Sequence, residues 1–199
     1  MYKKTYRCIV EGQQEEMYLC HLQRLFTSFP QKTITFNTSI GNAYELGKSY
    51  ENYDGVCVFD YDFDKSRFER NLSDCLKMDK TYKKRKIYHA YSSVCFDLWL
   101  VLHKEDYKKC CNKNDAYIDD VRRIYKLSPN ADIKEEKVIE RIMEQITLSD
   151  VKNAIERAEK IKQSKEYDTP HYVKEYRYYD NPDFSIHIFL KQVIADAKL

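Results

Sequence analysis

The stretch Val56-Cys57-Val58-Phe59-Asp60-Tyr61-Asp62-Phe63-Asp64 is an apolar run that stops abruptly in three aspartates spaced two apart. A run of that length reads as a buried strand, and side chains two apart on a strand share a face. Asp60 and Asp62 are therefore expected to project together from the strand end. Like charges that close repel unless a cation or proton lies between them. Hard oxygen donors at that density suit Mg²⁺ or Mn²⁺. Asp64 reads as a solvated turn residue outside the motif.

Outward from this run, the first hundred residues alternate between strand and helix. Tyr6 to Val10 reads as a short buried strand ending at Glu11-Gly12. Tyr18, Leu22, Leu25, Phe26 and Phe29 then recur at helical spacing until Pro30 ends the pattern. Thr33 to Phe36 is a second strand, Gly41 to Glu51 a short helix, and Gly55 to Phe59 the third strand. Phe68, Leu72, Cys75 and Leu76 mark an amphipathic helix, and Ile87 to Tyr91 a fourth strand. Such alternation predicts an α/β unit with a mostly parallel sheet flanked by helices. Past Val94 the pattern changes. Phe96 to His103 predicts a buried helix with Trp99 in the core, and from Asp115 nearly everything reads as helix. Val151, Ala154, Ile155, Ala158 and Ile161 form one stripe, with Ser149 as its expected N-cap. Asn181-Pro182 is expected to cap and open a last helix through Ile186, Leu190, Val193 and Ile194.

Composition narrows the class. The chain has 199 residues, 43% of them hydrophobic, enough for a packed core. Charged residues reach 33% yet nearly cancel, at a formal +2, so any nucleic-acid surface must be a local patch. The densest basic run, Lys83-Lys84-Arg85-Lys86, precedes the fourth strand and so falls at the wrong sheet end for a strand-end site. The segment from Lys165 to Tyr179 interleaves tyrosines with charge, as suits single-stranded nucleic acid or a protein partner. Seven cysteines without a C-x-x-C pair predict reduced thiols, Cys110-Cys111 included, in a cytoplasmic protein. Met1 to Lys4 leads into an apolar run too short for a signal peptide, and nothing approaches the ~20 apolar residues of a membrane span.

In an open α/β sheet, ligands gather beyond the carboxyl ends of the strands. If the first and third strands are neighbours, Glu11, Asp60 and Asp62 meet there. Gly12 allows a tight turn into a helix whose N-terminus favours a phosphate. Carboxylate-held metal beside a phosphate site is a layout for phosphodiester hydrolysis.

The ordered landmarks Cys8-Ile9-Val10-Glu11-Gly12, with Glu16 five positions after Glu11, and Val58-Phe59-Asp60-Tyr61-Asp62 resemble the Toprim fold. Ala90-Tyr91-Ser92-Ser93-Val94-Cys95-Phe96-Asp97-Leu98-Trp99-Leu100-Val101-Leu102-His103 and Asn181-Pro182 are similar to further landmarks of the RloB-like family within that group. The resemblance implies a Toprim-like, mostly parallel four-stranded catalytic domain over residues 1–105, with a helical C-terminal part over 106–199 packed on it. It implies an OLD-like, metal-dependent nuclease of bacterial anti-phage defence, cutting DNA or RNA, tRNA among the candidates. One or two Mg²⁺ or Mn²⁺ ions, an ATPase partner protein and a homo-oligomer belong to the same expectation. Carried over, Glu11 is the general acid or base and a metal contact, Asp60 and Asp62 are metal ligands, Glu16 a further metal candidate and Gly12 a phosphate contact. Asp97 stands where the family usually has glutamate, an additional site candidate that could equally pair with a basic residue in the core. Ser93 stands where the family usually has asparagine. Two rival readings stay open: a haloacid-dehalogenase-like phosphatase with Asp60 as nucleophile, and a non-catalytic regulatory subunit of an ATPase-containing defence complex.

Overall fold

A computed structural model of the protein describes residues 2–27, 32–48, 53–107, 113 and 115–198. Strands β1 (Tyr2–Val10), β2 (Lys32–Ile40), β3 (Asp54–Asp60) and β4 (Ile87–Ser93) run parallel in the order β2-β1-β3-β4. Helices α1 (Gln13–Thr27), α2 (Ala43–Lys48) and α3 (Lys65–Thr81) connect them in turn. Phe29, Pro30, Glu51 and Cys110-Cys111, which figured in the sequence reading, lie outside the described residues.

A parallel sheet covered on both faces needs strands that are apolar on both sides, and β1 and β3 meet that condition. Tyr6, Cys8, Val10, Val56, Val58 and Ala90 face one core. Against them pack α1, α4 (Phe96–Leu102), α7 (Leu148–Ser164) and α8 (Ile186–Ala197). Ile9, Cys57, Phe59 and Tyr91 face the other core, with α2 and α3. The first core also takes in Val121 of α5 (Ile118–Ile124) and Ile139 of α6 (Glu136–Met143), so residues 1–105 and 106–199 share one apolar interior. No helix among the described residues is long and apolar enough to cross a membrane.

The four-stranded expectation falls one short. Just before α8 lies β7 (Asp183–Phe184), which pairs antiparallel with Ser92 and Ser93 of β4 and makes a fifth strand. Two residues are too few to carry a hydrophobic period. Asn181-Pro182 precedes this strand rather than capping α8, which has Ser185 at its N-cap position. Likewise Thr147, not Ser149, caps α7. Its side chain accepts from the Asp150 N–H, and the Asp150 carboxylate accepts in return from the Thr147 N–H at 2.8 Å, a capping box. The tyrosine-rich segment forms a hairpin, β5 (His171–Val173) with β6 (Tyr176–Tyr178).

Asp183 joins the C-terminal part to the sheet. It is wholly buried and accepts from Tyr91 Oη (2.7 Å), Lys162 Nζ (2.7 Å), the Tyr179 N–H (2.8 Å) and the Phe184 N–H (2.9 Å). The Lys162 ammonium comes from α7 and also lies near the rings of Tyr91, Tyr176 and Tyr179, the nearest centroid at 5.2 Å. The basic run before β4 is partly absorbed into the fold. Arg85 covers the Tyr82 ring at 3.9 Å, and Lys86 pairs with Asp79.

Candidate active site

The register sets Val10, the last residue of β1, beside Val58 of β3, and β3 runs on to Asp60, which brings Glu11 next to Asp60. Glu11 Oε2 accepts from the Asp60 N–H at 3.1 Å, and Oε1 accepts from Asn71 Nδ2 on α3 at 3.2 Å. Burial pushes the Glu11 pKa up, and those two donors only partly offset it.

β3 stops at Asp60, so Asp62 is not presented by strand alternation as expected. Tyr61 turns the chain, and Asp62 and Phe63 both take left-handed backbone angles, φ 48° and 54°. For a residue such as Phe that conformation carries strain, and strain of this kind gathers where geometry matters to function. The turn aims Asp62 at Arg67 on the first turn of α3, 2.8 Å away, and the same guanidinium lies 4.0 Å from Glu11. Asp64 stays out of the cleft and caps α3, accepting from the Arg67 N–H at 3.0 Å.

Asp60 is a buried carboxylate with one of its oxygens unpartnered among the described residues. It is only 8% exposed, and its Oδ2 accepts from the Phe96 N–H at 2.9 Å. Its Oδ1 is buried with no hydrogen-bond partner. Burial first, then the carboxylates of Glu15, Asp62 and Glu11, push its pKa well above the ordinary range. A buried carboxylate in such company must take up a proton or acquire a cation.

Glu16 is not brought into this cluster; its carboxylate accepts from Thr38 Oγ1 at 3.3 Å on β2. The neighbouring Glu15 enters instead. Its Oε2 lies 3.0 Å from where a Cβ on Gly12 would stand, so a carboxylate occupies the helix N-terminus expected to hold phosphate. Burial raises the Glu15 pKa to about 7, against its own backbone N–H and the Lys134 charge, which lower it. The signal was present in the periodicity: Glu15 precedes Tyr18 by three and Leu22 by seven, on the buried stripe of α1.

Asp97, on the first turn of α4, is 2% exposed and pairs with Lys134 Nζ at 3.1 Å. The same ammonium reaches Gln14 Oε1 at 3.0 Å. Burial alone would lower the Lys134 pKa, but the Asp97 carboxylate overrides it and holds the side chain as a cation. Asp97 thus has the basic partner expected of a structural carboxylate, and both residues line the same cleft. That cleft is about 630 Å³ in volume and is bordered by Glu11, Glu15, Asp60, Asp62, Asp97 and Lys134. His103 lies apart as a buried helix-end residue, bonded to the Trp99 carbonyl and Tyr18 Oη.

As the side chains stand, no group of three or more His, Cys, Asp or Glu among the described residues is gathered tightly enough to hold a metal ion. Arg67 supplies the positive charge to Asp62 and Glu11 instead. On donor chemistry, Glu11, Glu15, Asp60 and Asp62 could hold a hard cation, and the partnerless Oδ1 of Asp60 fits such a group. Lys134, Arg67 and Asn71 join the site without having been singled out beforehand; none carries a local sequence signal of its role. No curated protein and no solved structure gives a significant match to the chain. Residues 8–192 match the family described as RloB-like protein, and the chain belongs to that family.

Proposed function

We propose that the chain is a Toprim-like, Mg²⁺- or Mn²⁺-dependent nuclease that cleaves nucleic-acid phosphodiester bonds. The observation that carries this reading is Asp60, a buried carboxylate with a partnerless oxygen, crowded by Glu11, Glu15 and Asp62 at the carboxyl ends of adjacent parallel strands. A bound divalent ion would neutralise these oxygens, polarise a phosphoryl oxygen and lower the pKa of water. Glu11, with its pKa raised by burial and its orientation fixed by the Asp60 N–H and Asn71, is suited to move a proton. Arg67 and Lys134 border the same cleft and would pair with the non-bridging oxygens of a phosphodiester, holding it against the carboxylates. Asp97 fixes the Lys134 ammonium in place for that contact. Work in anti-phage defence alongside an ATPase partner is the context that membership of the RloB-like family suggests.

The test is to incubate purified protein with single-stranded DNA, duplex DNA, tRNA and a generic phosphate monoester, with Mn²⁺ or with chelator. Mn²⁺-dependent cleavage of a polynucleotide, lost in Glu11→Gln, is the expected result. Turnover of the monoester alone, blocked by Asp60→Asn, would replace the reading with a phosphatase.

A further inference from the structure

On the other side of Glu11 and Arg67 lies a second cavity, of about 590 Å³, between α2 and α3. It shares those two residues with the carboxylate cleft and is completed by Tyr44, Arg70, Asn71 and Asp74, among others. Its volume falls in the ~300–1,000 Å³ range of small-ligand sites. Asn42 Oδ1 accepts from the Tyr44 N–H at 3.1 Å, which fixes the start of α2 and places Tyr44 at the rim. The Tyr44 side chain is 63% exposed, and Ile40 beside it is 57% exposed. Arg70 is exposed on α3, three positions past Arg67, and makes no ion pair or hydrogen bond among the described residues. The cavity therefore offers an exposed guanidinium and a solvent-facing ring beside the carboxylates proposed to cut a phosphodiester.

Those two groups recognise different parts of one ligand. A guanidinium pairs with a backbone phosphate, and an exposed ring stacks on a base of any identity. A duplex keeps its bases stacked inside and could offer one to Tyr44 only by flipping it out. We propose that this cavity is a subsite for one nucleotide of a single-stranded polynucleotide flanking the bond to be cut, with Arg70 on its phosphate and Tyr44 against its base. The proposal rests on the nuclease reading for its placement. It makes the substrate of that reading a single strand that crosses Glu11 from one cavity to the other.

The experiment measures fluorescence anisotropy of labelled oligothymidylate, oligouridylate and a blunt duplex with the full chain. It is run in chelator, where nothing is cut, over a range of KCl concentrations. Tighter binding of the single strands than of the duplex is expected. Tyr44→Ala should raise the single-strand Kd roughly 10-fold, and Tyr44→Phe should restore it. Arg70→Ala should flatten the slope of log K against log salt by about 0.7, the contribution of one single-strand phosphate. Arg70→Lys should keep that slope. A merely structural role for either residue would leave the salt slope unchanged. Equal binding of single strand and duplex, or wild-type Kd and slope in both alanine variants, would overturn the subsite. The oligothymidylate and oligouridylate arms separate DNA from RNA as the strand preferred. A parallel cleavage assay distinguishes the two claims. If the wild type cuts and both alanine variants cut with unchanged kcat/KM, the subsite falls and the nuclease stands. If nothing is cut yet the binding effects appear, the subsite stands and the nuclease falls.

Discussion

Asp60 and Asp183 lie on strands that flank β4, and both are buried, yet their surroundings differ in every respect that matters to a charge. Asp183 has four donors, one of them the Lys162 ammonium. Asp60 has one donor to one oxygen and three carboxylates as neighbours. Burying a carboxylate is tolerable when the fold supplies its counter-charge and hydrogen bonds, and costs several kcal/mol when it does not. The fold completes Asp183, which ties α7 and β7 to the sheet. It leaves Asp60 incomplete, to be neutralised by a proton or, on the proposed reading, by a cation from outside the chain. A structural carboxylate and a site carboxylate are thus told apart by what has been left out.

That contrast makes four predictions, the largest first. Asp60→Asn should lower polynucleotide cleavage by about a thousandfold or more, since it removes a charge that matters only once the cation and substrate are bound. Its melting temperature should not fall, because the asparagine no longer has to bury an ion. Asp183→Asn should do the opposite. It strands the Lys162 ammonium, so chemical denaturation should show a loss of about 3 kcal/mol, with cleavage per folded molecule much less affected. Adding Lys162→Met to that variant should recover part of the loss, read as a double-mutant cycle.

The pH dependence of the metal-free protein should separate the same regions. Glu15 has a pKa near 7 when folded, above its ordinary 4.5. Its contribution to stability is therefore full below about 4.5 and is lost as pH rises through 7. Glu15→Gln should remove on the order of 3 kcal/mol of that alkaline loss. His89 and His103 run the other way. Burial lowers both to about 4, so the stability they contribute is present above 6.5 and is lost as pH falls through 4. Urea denaturation of wild type and Glu15→Gln at pH 5 and pH 8 reads the carboxylate part. The smallest effect is ligand stabilisation: Mn²⁺ at about a hundred times its Kd should add about 2.7 kcal/mol to wild type and to Asp183→Asn, and nothing to Asp60→Asn. The gain should grow from pH 6 to pH 8 as the cleft carboxylates give up protons.

The Asp60 side of this contrast is legible in the amino-acid sequence, and the Asp183 side is not. The apolar runs of β1 and β3 and their acidic ends announce a buried parallel sheet with a charged rim, because local composition alone determines both. Asp62 was found for an incomplete reason. Strand alternation pointed to it, but the turn with two left-handed residues is what brings it to the cleft. Glu15 was legible and displaced by its neighbour: Glu16 lies about 100° further round α1, which is enough to point it at Thr38 instead. Lys134 reaches Asp97 from 37 positions away, and Asp183 reaches Lys162 from 21, distances at which pairing is decided by tertiary packing. The strand β7 escaped for lack of length, having only 2 residues.

The most direct test of the account sets the two aspartates against each other. Cleavage of labelled single-stranded DNA and tRNA by wild type, Asp60→Asn and Asp183→Asn is followed with Mn²⁺ at a temperature where all three are folded. Wild type and Asp183→Asn should cut and Asp60→Asn should not. Cutting by Asp60→Asn at the wild-type rate, or no Mn²⁺-dependent cutting by wild type, would contradict the claim that Asp60 is the carboxylate the fold leaves open for a cation.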